Sequence, residues 1–117
     1  MKVEIIAIGD ELLIGQTVNT NASWLGQEFS LRGYQITRAL SIADDPSQIT
    51  AALDAVLPNT NCVIITGGLG PTKDDLTKHT LAAYFDSELA IDEATLAQIV
   101  AFFEGRNKPM LEVNVQQ

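Results

Sequence analysis

Cys62-Val63-Ile64-Ile65-Thr66-Gly67-Gly68-Leu69-Gly70-Pro71-Thr72-Lys73-Asp74-Asp75-Leu76-Thr77 is the stretch that decides the fold. Its apolar opening reads as a strand and its centre as a glycine-rich turn, and its end enters a segment of helical periodicity. Three glycines in four residues leave the backbone bare and free to take positive φ. Bare amides beside a helix start make a seat for phosphate or another anion. The pair Asp74-Asp75 stands at the same place and would repel that anion unless a cation lay between them. An anion bound there would therefore need a cation beside it.

Outward from this stretch the chain alternates. Lys2 to Ile8 is nearly continuous apolar sequence, as a parallel strand covered on both faces requires. Gly9-Asp10-Glu11 leaves it, and Leu12 to Val18 has no regular pattern. Asn19-Thr20-Asn21 supplies cap chemistry for a first helix over Ala22 to Arg32, with Gly33 as its stop. Tyr34 to Ile42 is a second strand. Asp44-Asp45-Pro46 opens a second helix whose Ile49, Ala52, Leu53 and Val56 share one face. Cys62 to Thr66 is the third strand. A third helix is predicted from Asp74 to Tyr84. A fourth, from Asp92 to Glu104, carries Leu96, Ile99, Val100 and Phe103 at helical spacing. Arg106 to Gln117 has no clear pattern.

This order predicts an α/β fold: an open, mainly parallel sheet with helices on both faces. Right-handed crossovers favour strand one between strands two and three. Ligands bind such sheets beyond the strand C-termini, where the strand order reverses. Asp10, Glu11, Asp74 and Asp75 are therefore expected to border one crevice.

At 117 residues and 46% apolar content the chain is read as one domain with a real core. A net charge of −8 with no Lys/Arg cluster argues against nucleic acid and against anionic membranes as partners. Cys62 reads as a core residue. Without a signal peptide or a membrane-length apolar run, a cytoplasmic location is expected. Trp24, Phe29 and Tyr34 read as packing residues, and His79 as a helix-surface residue. The glycine loop is not a P-loop, which needs G-x-x-x-x-G-K-[ST], nor a dinucleotide fingerprint, because Lys73 stands where the third glycine belongs. No nucleophile elbow is present. From pattern alone, Thr72 and Asp75 also fit an N-cap and its capping box, and Asn21 fits a cap as well as a ligand contact.

Gly67-Gly68-Leu69-Gly70-Pro71-Thr72-x-Asp74-Asp75-x-Thr77 closely resembles the glycine-loop signature of the CinA (competence/damage-inducible protein A) family. Gly9-Asp10-Glu11-Leu12-Leu13-x-Gly15 and Thr20-Asn21 resemble that family's N-terminal pattern, and similarity extends to the segment around Phe102, Phe103 and Pro109. The related MoaB/MogA molybdopterin-binding proteins carry a shorter version of the loop.

The resemblance implies a molybdopterin-binding-like three-layer sandwich and metal-dependent hydrolysis of ADP-ribose-type pyrophosphates. It carries phosphate binding to Gly67, Gly68, Gly70 and Thr72, with Asn21 as a further substrate contact. It carries the catalytic and metal-holding acids to Asp74 and Asp75, and a metal ligand to Glu11. Asp10 stands where the family allows other residues, and Lys73 replaces a frequent proline. The implied cofactor is a divalent metal ion, with a monovalent cation as an additional candidate and molybdopterin as an alternative ligand. The implied partner is a nucleotide or pterin phosphate. The nicotinamide mononucleotide deamidation of longer relatives belongs to a second domain whose pattern does not occur here.

The family's domain continues past Gln117. The chain is thus expected to be a single domain over 1–117 that lacks its C-terminal part, with an incomplete pocket wall and exposed apolar surface. A homo-oligomer is the expected consequence. The alternatives to an enzyme are a non-catalytic phosphate-binding module and an inactive fragment.

Overall fold

A computed structural model describes all residues except Pro71, Lys73, Asp74 and Gln117, and in the last helix the backbone but not the side chains of Val113 and Gln116. The elements run β1 (Lys2–Ile8), α1 (Asp10–Leu13), α2 (Thr20–Leu31), β2 (Gln35–Ile42), α3 (Pro46–Asp54), β3 (Cys62–Thr66), α4 (Thr77–Tyr84), α5 (Glu93–Glu104) and α6 (Val113–Gln116). The three strands form one parallel sheet in the order β2-β1-β3. The expected arrangement is the observed one.

Being central, β1 is covered on both faces, and Val3 to Ile8 are all buried. Ile6 and Ile8 point to one face and pack with Ile49 and Ala52 of α3. Leu40 and Ile42 of β2 and Val63 and Ile65 of β3 extend that layer. Val3, Ile5 and Ala7 point to the other face, where α2 lies against β1 and β2. The crossover from β1 to β2 and the crossover from β2 to β3 run in opposite directions across the sheet, which with right-handed connections puts α2 and α3 on opposite faces. Tyr84 Oη donates to Asp54 Oδ1 at 2.8 Å, which ties α4 to α3.

Caps narrow two readings to single residues. Asn19, not Asn21, caps α2: its Oδ1 accepts from Ala22 N at 3.0 Å and its Nδ2 donates to Ser41 Oγ at 3.0 Å. Asp45 caps α3, its Oδ1 accepting from Ser47 N at 2.9 Å and Gln48 N at 3.1 Å. The Ser47 hydroxyl and these amides hold its carboxyl below the usual range. Asp45→Ala should lower the melting temperature by a few degrees while Asp45→Asn, which retains the acceptor, leaves it nearly unchanged. Thermal melts of the two variants read the difference.

Other expectations shift. α4 begins at Thr77 because Thr77 N donates back to Gly68 O at 3.2 Å, so its first amide serves the loop. Short helices form at Asp10–Leu13 and Val113–Gln116, where the sequence has no regular pattern. Trp24 is 61% exposed, whereas Phe29 and Tyr34 do pack, with ring centroids 5.5 Å apart. Cys62 is half-buried. α5 forms as expected, but its apolar stripe is only half-buried because it does not lie on the sheet.

Glu4 is a fully buried carboxylate in the apolar strand β1. Arg38 Nε donates to Glu4 Oε2 at 2.7 Å, Leu57 N donates to Glu4 Oε1 at 2.9 Å, and the Thr60 hydroxyl donates to the same oxygen. Arg38 also donates to Ala55 O at 2.7 Å. A register shift between Val3 and Glu4 sets Arg38 beside Glu4. The cluster joins β1, β2 and the segment entering β3 at the sheet end away from the glycine loop.

Candidate ligand site at the glycine loop

The loop after β3 closes against the end of β1. Gly67 and Gly68 have φ of 100° and 58°. A Cβ at Gly67 would fall on the Ile8 carbonyl, within 2.9 Å of its carbon and closer still to its oxygen. One at Gly68 would lie 2.8 and 3.1 Å from the Asp44 carboxylate oxygens, and closer to Thr77 Oγ1. One at Gly70 would lie 2.5 Å from Asp75 Oδ2. The glycines therefore let the backbone approach its own neighbours. The two strand exits meet, as the switch-point argument requires.

Fully buried Thr77 pins this loop, its hydroxyl donating to Gly67 O at 3.0 Å and its amide to Gly68 O. Asp44, read from sequence only as part of a helix opening, reaches the junction of the two loops beside Gly68. Its N–H donates to Asp10 Oδ1 at 3.3 Å, and its Oδ1 accepts from Leu76 N at 3.4 Å. The doubled Asp44-Asp45 was the available signal, since only one of two adjacent aspartates can be the Ncap residue.

Asp75 turns back on Thr72. Its Oδ2 accepts from Thr72 N at 3.0 Å and from the Thr72 hydroxyl, while Asp75 N donates to Thr72 O at 3.1 Å. The Thr72 hydroxyl and amide, with the Gly70 amide and the Lys78 charge, hold its carboxyl below the usual range. This is the returning half of a capping box, but it closes a turn ahead of α4. Thr72 does not cap that helix, whose Ncap is Leu76 with no side-chain cap bond.

Asp10 and Glu11 lie on α1 at the exit of β1, and a Cβ at Gly9 would come within 2.7 Å of Glu11 Cδ. Asn21 is exposed in the first turn of α2. Asp74 and Lys73 lie outside the described residues. Among the described residues, no three His, Cys, Asp or Glu side chains gather closely enough to hold a metal ion. No described helix is long and apolar enough to cross a membrane.

An open parallel sheet with a glycine-rich turn at its strand-order reversal defines a class of α/β ligand-binding domain. The chain belongs to the family described as the probable molybdopterin binding domain, which matches residues 4–114. It is 45% identical over all 117 residues to a putative competence-damage inducible protein of Halalkalibacterium halodurans, and spans 28% of that relative's length. Its fold matches the crystal structure of CinA, a protein of unknown function from Thermoplasma acidophilum, with a TM-score of 0.80 and 35% identity. That match covers 98% of this chain and 66% of the other. The molybdopterin biosynthesis enzyme MoaB of Thermus thermophilus shares the fold at a TM-score of 0.67 and 19% identity, over 96% of this chain and 69% of its own. The CinA-like, molybdopterin-binding-like reading of the two motifs holds.

Proposed function

We propose that the domain binds a nucleotide pyrophosphate such as ADP-ribose at the glycine loop and hydrolyses it with the help of a divalent metal ion. The observation that carries this reading is the Asp75 carboxylate seated on the Thr72 amide and hydroxyl beside Gly70. A loop that holds a carboxylate in this way has the donors an oxyanion needs. A phosphate entering there takes over those donors and frees Asp75.

The donor chemistry nearby suits a hard cation. Asp44 N–H donates to Asp10 Oδ1 at the exit of β1, Glu11 follows Asp10, and Asp74 adjoins Asp75 in sequence, so carboxylates stand on both loops. Asp75, Asp74 and Glu11 are the residues proposed to hold the metal. Once bound, such a metal polarises the phosphorus centre and makes water a better nucleophile. The loop amides and Thr72 orient one phosphate, and Asn21 contributes a polar contact from α2. Water adds to phosphorus, the bond to the bridging oxygen breaks, and AMP and ribose 5-phosphate result.

A second reading is a binding module that holds a pterin or nucleotide phosphate without turnover. It is favoured by the closed Asp75–Thr72 turn, which leaves that carboxylate committed to the loop. Hydrolysis of ADP-ribose with and without divalent metal separates the two readings. Asp75→Asn is expected to lower metal-dependent turnover about 10²-fold, with the melting temperature nearly unchanged. Removing the metal with a chelator should abolish turnover altogether. Tight binding with no turnover under any metal would leave the module reading standing and the hydrolase reading overturned.

A further inference from the structure

Leu12 to Gln27 holds no charged side chain, in a chain whose net charge is −8. The same stretch carries exposed apolar surface: Leu13 is 51% exposed, Ile14 75%, Val18 78% and Trp24 61%. Single exposed apolar residues are ordinary on a folded surface, but several within one charge-free stretch mark a contact surface. The backbone holds this stretch in a set conformation. Leu12 N donates to Gly9 O at 3.1 Å and Ile14 N to Asp10 O at 3.2 Å. Gln16 N and Thr17 N both donate to Glu11 O, at 3.0 and 3.2 Å, which folds the connection back on α1. Asn19 then caps α2 and ties it to β2 through Ser41. A surface ordered in advance loses little conformational freedom on docking.

We propose that two copies of this chain pair through their α1–α2 segments, and that each copy covers the open side of the other's site at the exit of β1. The charge distribution selects the occupant. Two acidic copies repel wherever their charged surfaces meet, so they approach closely only through surface without charge. Anionic membranes and nucleic acids meet that repulsion too, and a basic partner would gain most elsewhere, on the acidic surface. A two-fold pair needs a patch that complements itself, which an uncharged apolar patch does. Interface cores are depleted of charge and anchored by aromatic side chains, the role that Trp24 takes here. α5 offers another apolar face, where Leu96 and Ile99 border a groove beside the glycine loop, but Asp75, Lys78 and Asp92 line that groove as well. Those charges make it the poorer match for an identical copy.

Placement joins the contact to the site. α1 starts at Asp10, directly after β1, and Glu11 lies two residues before Leu13. Asn21 and Trp24, three residues apart, share one side of α2. A copy seated on Leu13, Ile14, Val18 and Trp24 therefore stands beside Glu11 and Asn21. The covering of the site rests on the phosphate reading, whereas the pairing itself does not.

The test is sedimentation velocity of the 117-residue chain across a wide range of concentration, with AMP binding measured by calorimetry in magnesium. AMP has a phosphate but no pyrophosphate bond, so it reports binding without turnover. A dimer is expected, and Trp24→Glu and Ile14→Glu should each raise its dissociation constant about 30-fold or more. Both positions are exposed, and unchanged melting temperatures verify that the variants fold. Phe102→Glu on α5 should leave the dimer intact. AMP should bind the dimer about tenfold more tightly than the monomer, and Trp24→Glu should show the monomer's affinity at every protein concentration. A monomer throughout overturns the proposal. So does a dimer that survives Trp24→Glu and Ile14→Glu, or one that only Phe102→Glu dissolves, which places the contact on α5. Equal AMP affinity in monomer and dimer overturns the covering of the site. An intact dimer that binds no AMP marks failure of the phosphate reading and leaves the pairing upheld.

Discussion

Gly67→Ala is expected to remove about 2–6 kcal/mol of stability, a large part of the ~5–15 kcal/mol of an ordinary domain. Two effects add. At φ 100° an L side chain is strained, for about 1–3 kcal/mol. The new methyl would also fall on the Ile8 carbonyl, and overpacking against backbone costs about 1–3 kcal/mol more. Gly15 is the control, with a similar φ of 72° and nothing within 4 Å of its would-be Cβ. Gly15→Ala should therefore lose only about 1–2 kcal/mol. Urea denaturation of both variants checks this. Equal losses would mean that the close approach of the glycine loop to β1 is not what position 67 requires.

Arg38→Met is expected to cost about 3–5 kcal/mol near neutral pH, because it leaves the Glu4 carboxylate buried without a counter-charge. In the native protein, burial pushes the Glu4 carboxyl up. The Thr60 hydroxyl, Leu57 amide and Arg38 together outweigh that and bring it below its ordinary value. A carboxyl lowered on folding contributes stability that is complete above its unfolded value, about 4.3. That contribution is lost as pH falls through the folded value. Arg38→Met removes two of the influences that lower this carboxyl and leaves those of Thr60 and Leu57, so its value rises above the native one and the loss is greatest when the group is charged. The gap between wild type and variant should be widest near pH 7 and narrow below about pH 4. Denaturant midpoints from pH 3 to 7 measure it, and a gap independent of pH would assign the loss to packing of the Arg38 stem instead.

Both predictions concern groups that join separate elements, and these are where the sequence is least informative. Strand existence, strand order and the two crossovers were legible because they depend on local apolar runs and on chain handedness. β1 and β3 begin and end where the apolar runs do. The glycine loop was legible too, because three glycines in four residues have few structural meanings.

What each side chain of the site touches was decided by packing between distant segments. Sequence alone could not tell which of Asp44 and Asp45 caps α3 and which reaches the loop junction, since both are chemically able to do either. Only the approach of α4 to the β2–α3 junction separates them, through the Leu76 amide. The pairing of Glu4 with Arg38 depends on a one-residue register shift between β1 and β2, which no local pattern announces. The apolar stripe of α5 is plain in the sequence, but periodicity states only that a face is apolar, not what that face meets. In the folded chain that face borders the groove beside the glycine loop. Sequence by itself determined the sheet, its order and the loop at its reversal, because those depend on backbone sterics and the spacing of apolar residues. Tertiary structure decided which carboxylates reach the glycine loop and where the apolar lining beside it comes from, because those are contacts between segments far apart in the chain.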